Sequence, residues 1–307
     1  MATTNNLTTT YAGEFAGKYI SAALLSGKTL AEGNITIKPN IKYKEVMKKV
    51  ATDDIVKDAT CDFDATSTLT LTERILTPEE FQVNLQLCKK DFRADWEAVQ
   101  MGYSAFDNLP PSFSQFLIAH VADKVAQKME QNIWNGTNAN AGSFDGFKTT
   151  LLADADVNDV AAGAVTSANV ITELGKIADA IPSAVYGSED LFVYVSNNIY
   201  RAYVRALGGF ATNVGASGTD NKGTQWFNGG ALTFDGINMV MASGLADNTA
   251  VAAEKSNLFF GTGLLNDQNE VKVIDMADID GSQNVRVVMR FTAGIQHAIG
   301  SDIVLYS

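Results

Sequence analysis

"MEQNIWNGTNANAGSFDGF", residues 129–147, begins as the last turns of an apolar-periodic segment and passes into Asn, Gly and Ala. Upstream, Pro110 and Pro111 precede Ser112, and Ser112-x-x-Gln115 has capping-box form, in which side chains satisfy backbone N–H groups of a first helical turn. Phe113, Phe116, Leu117, Val121, Val125, Met129 and Ile133 then recur at spacings of three and four, which makes one apolar stripe. The spacing predicts a helix from Ser112 to Asn135, about 33 Å long at 1.5 Å per residue. Gly136 reads as its stop, held in a left-handed conformation that costs a residue with a Cβ roughly 1 kcal/mol or more. Met129, Ile133 and Trp134 are expected to anchor the helix end on a sheet. "TNANAGS" reads as surface loop, with Asp145-Gly146 closing a turn back into the sheet. Phe-Asp-Gly recurs at 234–236 with unrelated neighbours, so it marks turn chemistry and no repeat.

Outward from the helix the pattern is extended. "FQVNLQLC" (81–88) alternates Phe81, Val83, Leu85 and Leu87 with Gln82, Asn84 and Gln86, a half-buried strand. Before it, "NITIKPNIKYKEV" and "TSTLTLTERIL" alternate as the arms of an exposed hairpin would, and Pro39 is unsuited to a central strand. Downstream, a helix is expected over about Ser167–Ile181, a buried strand at "LFVYVS" and a second helix at "NNIYRAYVRAL". Strand-like runs close the chain, at "ALTFDGINMVMA", "NLFFGTG", "EVKVIDM" and "NVRVVMRFTAGIQHAIGSDIVLY". Without a regular βαβ alternation, the class is α+β. Residues 208–230 hold seven glycines around Phe210, Trp226 and Phe227, a long loop whose aromatics could anchor an interface.

Composition narrows function. The chain has 307 residues, 35 acids against 23 lysines and arginines, and a net charge of −12, which disfavours broad nucleic-acid binding driven by phosphate neutralisation. The charge is uneven. Residues 35–50 carry Lys38, Lys42, Lys44, Lys48 and Lys49 against Glu45 alone, while the next fifty carry eleven acids, among them Asp53, Asp54, Asp58, Asp62 and Asp64. Adjacent basic and acidic stretches suggest complementary contact between copies; a solvated charged face is the alternative. Cys61 and Cys88 are too few for a disulfide framework and read as reduced and buried. The N-terminus lacks a secretory signal and no run is long enough to span a membrane, so the Asn-x-Thr triplets at Asn6, Asn34 and Asn135 carry no sugar in this reading.

Site motifs fail on inspection. "SGKT" (26–29) ends like a phosphate loop, but Ala22 stands where a glycine is needed and "AALL" fills the loop. "DADVND" (154–159) starts like a calcium loop, but its sixth residue is Asp159 and its twelfth is Val165. His120 and His297 lack zinc-ligand spacing, and each reads as a satisfied core or surface histidine. No catalytic, cofactor-binding or metal-binding residue is assigned.

In order, the hairpin arms, the strand through "LCKKDFRADW", the long helix and its exit through "MEQNIWNGTNANAGSFDGF" resemble the major capsid proteins of tailed bacteriophages, the Hong Kong 97-like fold. The resemblance covers nearly the whole chain as architecture and implies an N-terminal arm (1–34) and an extended hairpin loop (35–80). It further implies a spine-helix peripheral domain (81–150, rejoined by about 275–297), and an axial domain (151–274) with a closing strand (298–307). It also implies a structural subunit that assembles with itself into hexamers and pentamers of an icosahedral or prolate head, enclosing double-stranded DNA without sequence-specific contact. Expected partners are a portal protein, a separate scaffolding protein (the arm begins too close to Met1 for a fused one) and decoration proteins. The location would be the virion, after synthesis in the host bacterial cytoplasm. Lys38, Lys42, Lys44, Lys48, Lys49, Phe210, Trp226 and Phe227 are the candidate inter-subunit residues. An encapsulin-like nanocompartment shares every feature. A soluble enzyme with residues 208–230 as a lid would need convergent acids and bases there, and only Asp220 and Lys222 are charged.

Overall fold

The computed structural model describes residues 28–41, 43–52, 56–59, 61, 69–92, 111–207, 232–263 and 272–307. In chain order, the described elements begin with α1 (Lys28–Ala31), β1 (Thr36–Lys38), β2 (Glu45–Thr52), β3 (Leu69–Leu76), β4 (Glu79–Cys88) and α2 (Lys89–Phe92). Next come α3 (Pro111–Asn135), α4 (Phe147–Leu152), β5 (Asn158–Val160), α5 (Val170–Ala180), β6 (Leu191–Val195) and α6 (Asn197–Leu207). The chain then forms β7 (Leu232–Phe234), β8 (Ile237–Met241), β9 (Ala250–Glu254), β10 (Leu258–Gly261), β11 (Lys272–Asp275), α7 (Ala277–Asp280), β12 (Asn284–His297) and β13 (Val304–Tyr306). The long helix, the strand at 81–88, the two later helices and the closing strands stand where their periodicity put them. The Glu14–Leu25 region lies outside the described residues.

The chain divides into two compact units. In the first, built from residues 80–129 and 263–292 among those described, β12 pairs with β11 antiparallel and with β4. Alternation puts Val285 and Val287 of β12, Val83 and Leu87 of β4 and Val273 of β11 in one cluster with Val121 and Val125 of α3. On the opposite face Arg286 Nε donates to Gln86 Oε1 at 3.2 Å.

The second unit is residues 28–79, 130–262 and 293–307. Its six-stranded sheet runs β5-β13-β9-β6-β8-β7, with β13 parallel to β5 and antiparallel to β9. A core of Val170, Leu174 and Ile177 from α5, Ile199 and Tyr203 from α6, and Val193, Val195, Ala252, Val304 and Tyr306 from the sheet fills its interior. β7 and β8 join at Asp235 (φ 48°) and Gly236 (φ 81°), two left-handed residues in succession, as a two-residue hairpin requires. The second Phe-Asp-Gly is therefore a turn, as read. β1, β10 and the last residues of β12 form a further ladder, Phe260 pairing with Ile37 and Ile295.

The corner after α3 differs from expectation in its physical cause. Ile133 and Trp134 are fully buried, and the Trp134 ring packs 5.4 Å from Phe147 and 5.0 Å from Tyr194 of β6. Gly136, however, is not left-handed; the positive-φ glycine of the loop is Gly142, at 72°. Gly136 is needed for closeness instead. A Cβ there would lie 2.2 Å from the Phe144 carbonyl oxygen and 2.6 Å from that of Asn132. Gly146 is its counterpart: a Cβ would lie 2.4 Å from Asn132 O, and its N–H donates to Gly136 O at 3.0 Å. Two backbones cross in contact, which only glycine permits. The turn leads into α4, not directly into the sheet, with Gly146 (φ −80°) at its N-terminal boundary. Asn138 and Asn140 are exposed as surface-loop residues.

Candidate assembly surface

β2 and β3 form a two-stranded antiparallel hairpin, in register Glu45–Leu76 through Thr52–Leu69. Opposed residues share a face. One face therefore takes Val46 with Ile75 and Lys48 with Glu73, and continues along β3 through Leu71 and Leu69. Val46, Ile75, Leu69 and Leu71 are 43–64% exposed, an apolar strip interrupted by one oppositely charged pair of positions. A two-stranded hairpin is marginal by itself in water, and burying such a side chain fully contributes about 1.5–3 kcal/mol. The strip is thus stabilised by any surface that covers it.

The root of the hairpin is fixed within the second unit. Leu76 is fully buried and Ile41 nearly so, both against Gly261, where a Cβ would lie 2.8 Å from each. Gln296 Nε2 donates to the Ile75 carbonyl at 3.2 Å. Arg74 forms an ion pair with Asp154 Oδ2, the oxygen that His297 Nε2 also meets, at 2.8 Å. Asp154 Oδ1 accepts from the Asp156 backbone N–H at 3.2 Å. Burial acts to raise the Asp154 pKa, but the bonds from His297, Asp156 and Arg74, with the Arg74 charge, leave it below the ordinary 3.8. Both Asp154 oxygens thus have partners inside the chain. His297 is the core histidine of the sequence reading, 1% exposed.

The threonine of "SGKT" is held by a carboxylate from α3. Thr29 N–H donates to Glu130 Oε2 at 3.1 Å, its hydroxyl donates to Oε1, and Trp134 Nε1 donates to Thr29 Oγ1 at 2.8 Å. Burial, the largest influence, raises the Glu130 pKa, and the Thr29 bonds offset part of it. Thr29→Val keeps the shape and the backbone N–H to Oε2, but takes the hydroxyl away from Glu130 Oε1 and from the indole N–H. We expect it to lower stability by about 1–3 kcal/mol, read as an earlier denaturant midpoint.

Among the described candidate residues the lysines have different surroundings. Lys38 is engaged by Glu45 and lies 5.1 Å from the Phe259 ring centroid. Lys44 is exposed beside Tyr43, and Lys48 is exposed opposite Glu73; Lys49 pairs with Thr72 in register. Lys42, Phe210, Trp226 and Phe227 lie outside the described residues, as do Asp53, Asp54, Asp62 and Asp64, while Asp58 is exposed. Both cysteines are free, but Cys61 is exposed and Cys88 half-buried, so the expectation of burial fails for Cys61, which lies in sequence between the two hairpin strands. Sequence reading missed Arg74, Glu130 and the partnership of Asp154 with His297, because no local spacing links positions so far apart. Among the described residues no three His, Cys, Asp or Glu side chains group to hold a metal, and no helix is long and apolar enough to cross a membrane.

No family model and no curated protein sequence matches the chain. Solved structures do. The capsid of a native GTA particle superposes with a TM-score of 0.64 at 10% identity, over 94% of this chain and 92% of that one. The capsid of Myoviridae phage XM1 gives 0.59 at 12% identity over 92% of each chain, and a chain of Gordonia phage Cozz gives 0.60 at 11% over 98% and 91%. The chain has the α+β fold of phage capsid subunits, the one its sequence resembles.

Proposed function

We propose that this chain is the structural subunit of a tailed-bacteriophage head, a major capsid protein that assembles with itself into an icosahedral or prolate shell around double-stranded DNA. It is not an enzyme. Near-complete superposition on capsid chains carries this reading. The exposed apolar strip of the β2–β3 hairpin supports it, because an arm with little core of its own gains burial and ladder bonds on a neighbouring copy. Heterologous contacts of this kind close into rings. The parts follow the resemblance: N-terminal arm to 34, extended loop 35–80, peripheral domain 81–150 with about 275–297, axial domain 151–274 and closing strand 298–307. A portal, a scaffolding protein and decoration proteins are the further partners, and the virion is the location, after synthesis in the bacterial cytoplasm.

The purified, concentrated chain should form closed shells visible by electron microscopy. Leu69→Ser with Leu71→Ser should leave the subunit folded and reduce particle yield about tenfold or more, since several kcal/mol of interface burial is lost. Normal yield from that variant rules out the hairpin as an assembly arm. DNA-free shells holding a packaged enzyme would identify a nanocompartment instead. The lysine contribution is best tested at exposed Lys44. Lys48→Glu would set two carboxylates across the hairpin at Glu73 and disturb it directly. Lys44→Glu should slow assembly most at low salt, because exposed charges are screened over about 8 Å at physiological ionic strength.

A further inference from the structure

Three segments far apart in sequence meet at one carboxylate: Arg74 of β3, Asp154 after α4, and His297 at the end of β12. A carboxylate only accepts, so the neutral His297 ring carries its proton on Nε2 and leaves Nδ1 bare. Nδ1 is buried and has no hydrogen-bond partner among the described residues. The backbone closes tightly around the carboxylate, for a Cβ at Gly300 would lie 2.4 Å from Asp154 Oδ2. In this arrangement the neutral ring makes its Nε2–H bond to Asp154 and leaves one lone pair, on Nδ1, unpaired. A protonated ring would present a buried N–H with no acceptor, next to the Arg74 guanidinium. The charges acting on the ring are those of Asp154 and Arg74, and the adjacent strand β10, Leu258-Phe259-Phe260-Gly261, contributes no ionisable group.

We propose that Arg74, Asp154 and His297 form a pH-sensitive clamp on the root of the β2–β3 hairpin, closed at neutral pH and loosened by acid. Opening the site gives Nδ1–H access to water, so protonation favours the open form. Burial, the largest influence, holds the closed-state His297 pKa below 6.5; the Arg74 charge adds to this, and the hydrogen bond and charge of Asp154 oppose it. The opened ring takes its proton near 6.5 while the closed ring does not. Closure is therefore complete above about 6.5 and weakens as the pH falls below it. Asp154 stays charged through this range, and its own contribution fades only below 3.8. The clamp acts on the hairpin that carries the exposed apolar strip, and it is a property of the subunit whether or not the shell reading holds.

The test is amide hydrogen exchange of residues 73–78 in the full-length chain between pH 7.5 and 5.5, corrected for intrinsic rates. The root should open at least about threefold more at the lower pH. His297→Gln, whose amide can still donate to Asp154 but cannot titrate, should keep the neutral-pH protection and lose the pH dependence. An unchanged dependence in that variant, or none in the wild type, overturns the clamp. Should the variant fail to fold, deuterium exchange at the imidazole C2 position decides in the wild type, which has only two histidines. A His297 midpoint below 6.5 that tracks root opening supports the clamp. A midpoint at or above 6.5 overturns it.

Discussion

Gly136→Val is expected to abolish the folded corner after α3 at a cost of about 3 kcal/mol or more, because the added carbon meets fixed backbone. The nearest atoms are carbonyl oxygens of Phe144 and Asn132, at 2.2 and 2.6 Å, and neither can swing away as a side-chain end could. Moving either would break the Gly146 N–H to Gly136 O bond that closes the corner. Gly142 is the control. It holds the left-handed conformation, but a methyl group placed on its Cα would have nothing within 4 Å, so Gly142→Ala should cost only about 1 kcal/mol. Thermal or urea unfolding of Gly136→Ala, Gly136→Val and Gly142→Ala separates the two causes. A larger loss at Gly142 than at Gly136 would show that close approach does not fix the glycine at 136.

Removing Val304–Ser307 should leave no folded second unit. β13 is an interior strand, and its removal exposes the facing edges of β5 and β9 together. Val304, Leu305 and Tyr306 are fully buried, each contributing about 1.5–3 kcal/mol by burial alone, against a total stability of about 5–15 kcal/mol for a typical domain. Tyr306 also donates its hydroxyl proton to Glu173 Oε2 at 2.8 Å, and the Tyr306 hydroxyl oxygen accepts the Gly163 N–H at 3.0 Å. The truncated chain is expected in inclusion bodies or without a cooperative thermal transition. Tyr306→Phe removes only the hydroxyl and should fold with a loss of about 1–2 kcal/mol. A soluble truncation that melts like the full chain would place β13 outside the cooperative core.

Local chemistry made much of the fold legible. Period-three-and-four spacing through Phe113, Val121 and Ile133 set the long helix, period-two spacing set β4 and the hairpin arms, and Asp235-Gly236 set a turn. These signals are short-range because backbone geometry repeats every two or 3.6 residues, so a few neighbours suffice to report it. What a segment touches is not periodic. Val304-Leu305-Tyr306 reads as a strand, but nothing in those residues says that it lies between β5 and β9. Gly136 reads as a helix stop, yet its constraint comes from Phe144 folding back over it. Lys38 reads as one of five free cations, but Glu45 engages it. Nothing local pairs Arg74, Asp154 and His297, and only chain closure over 80 and 143 residues brings them to one carboxylate. The sequence by itself determined the elements and their faces, because those follow from local sterics and burial. Only the tertiary structure decided the partners, since contacts between distant residues depend on how the whole chain packs.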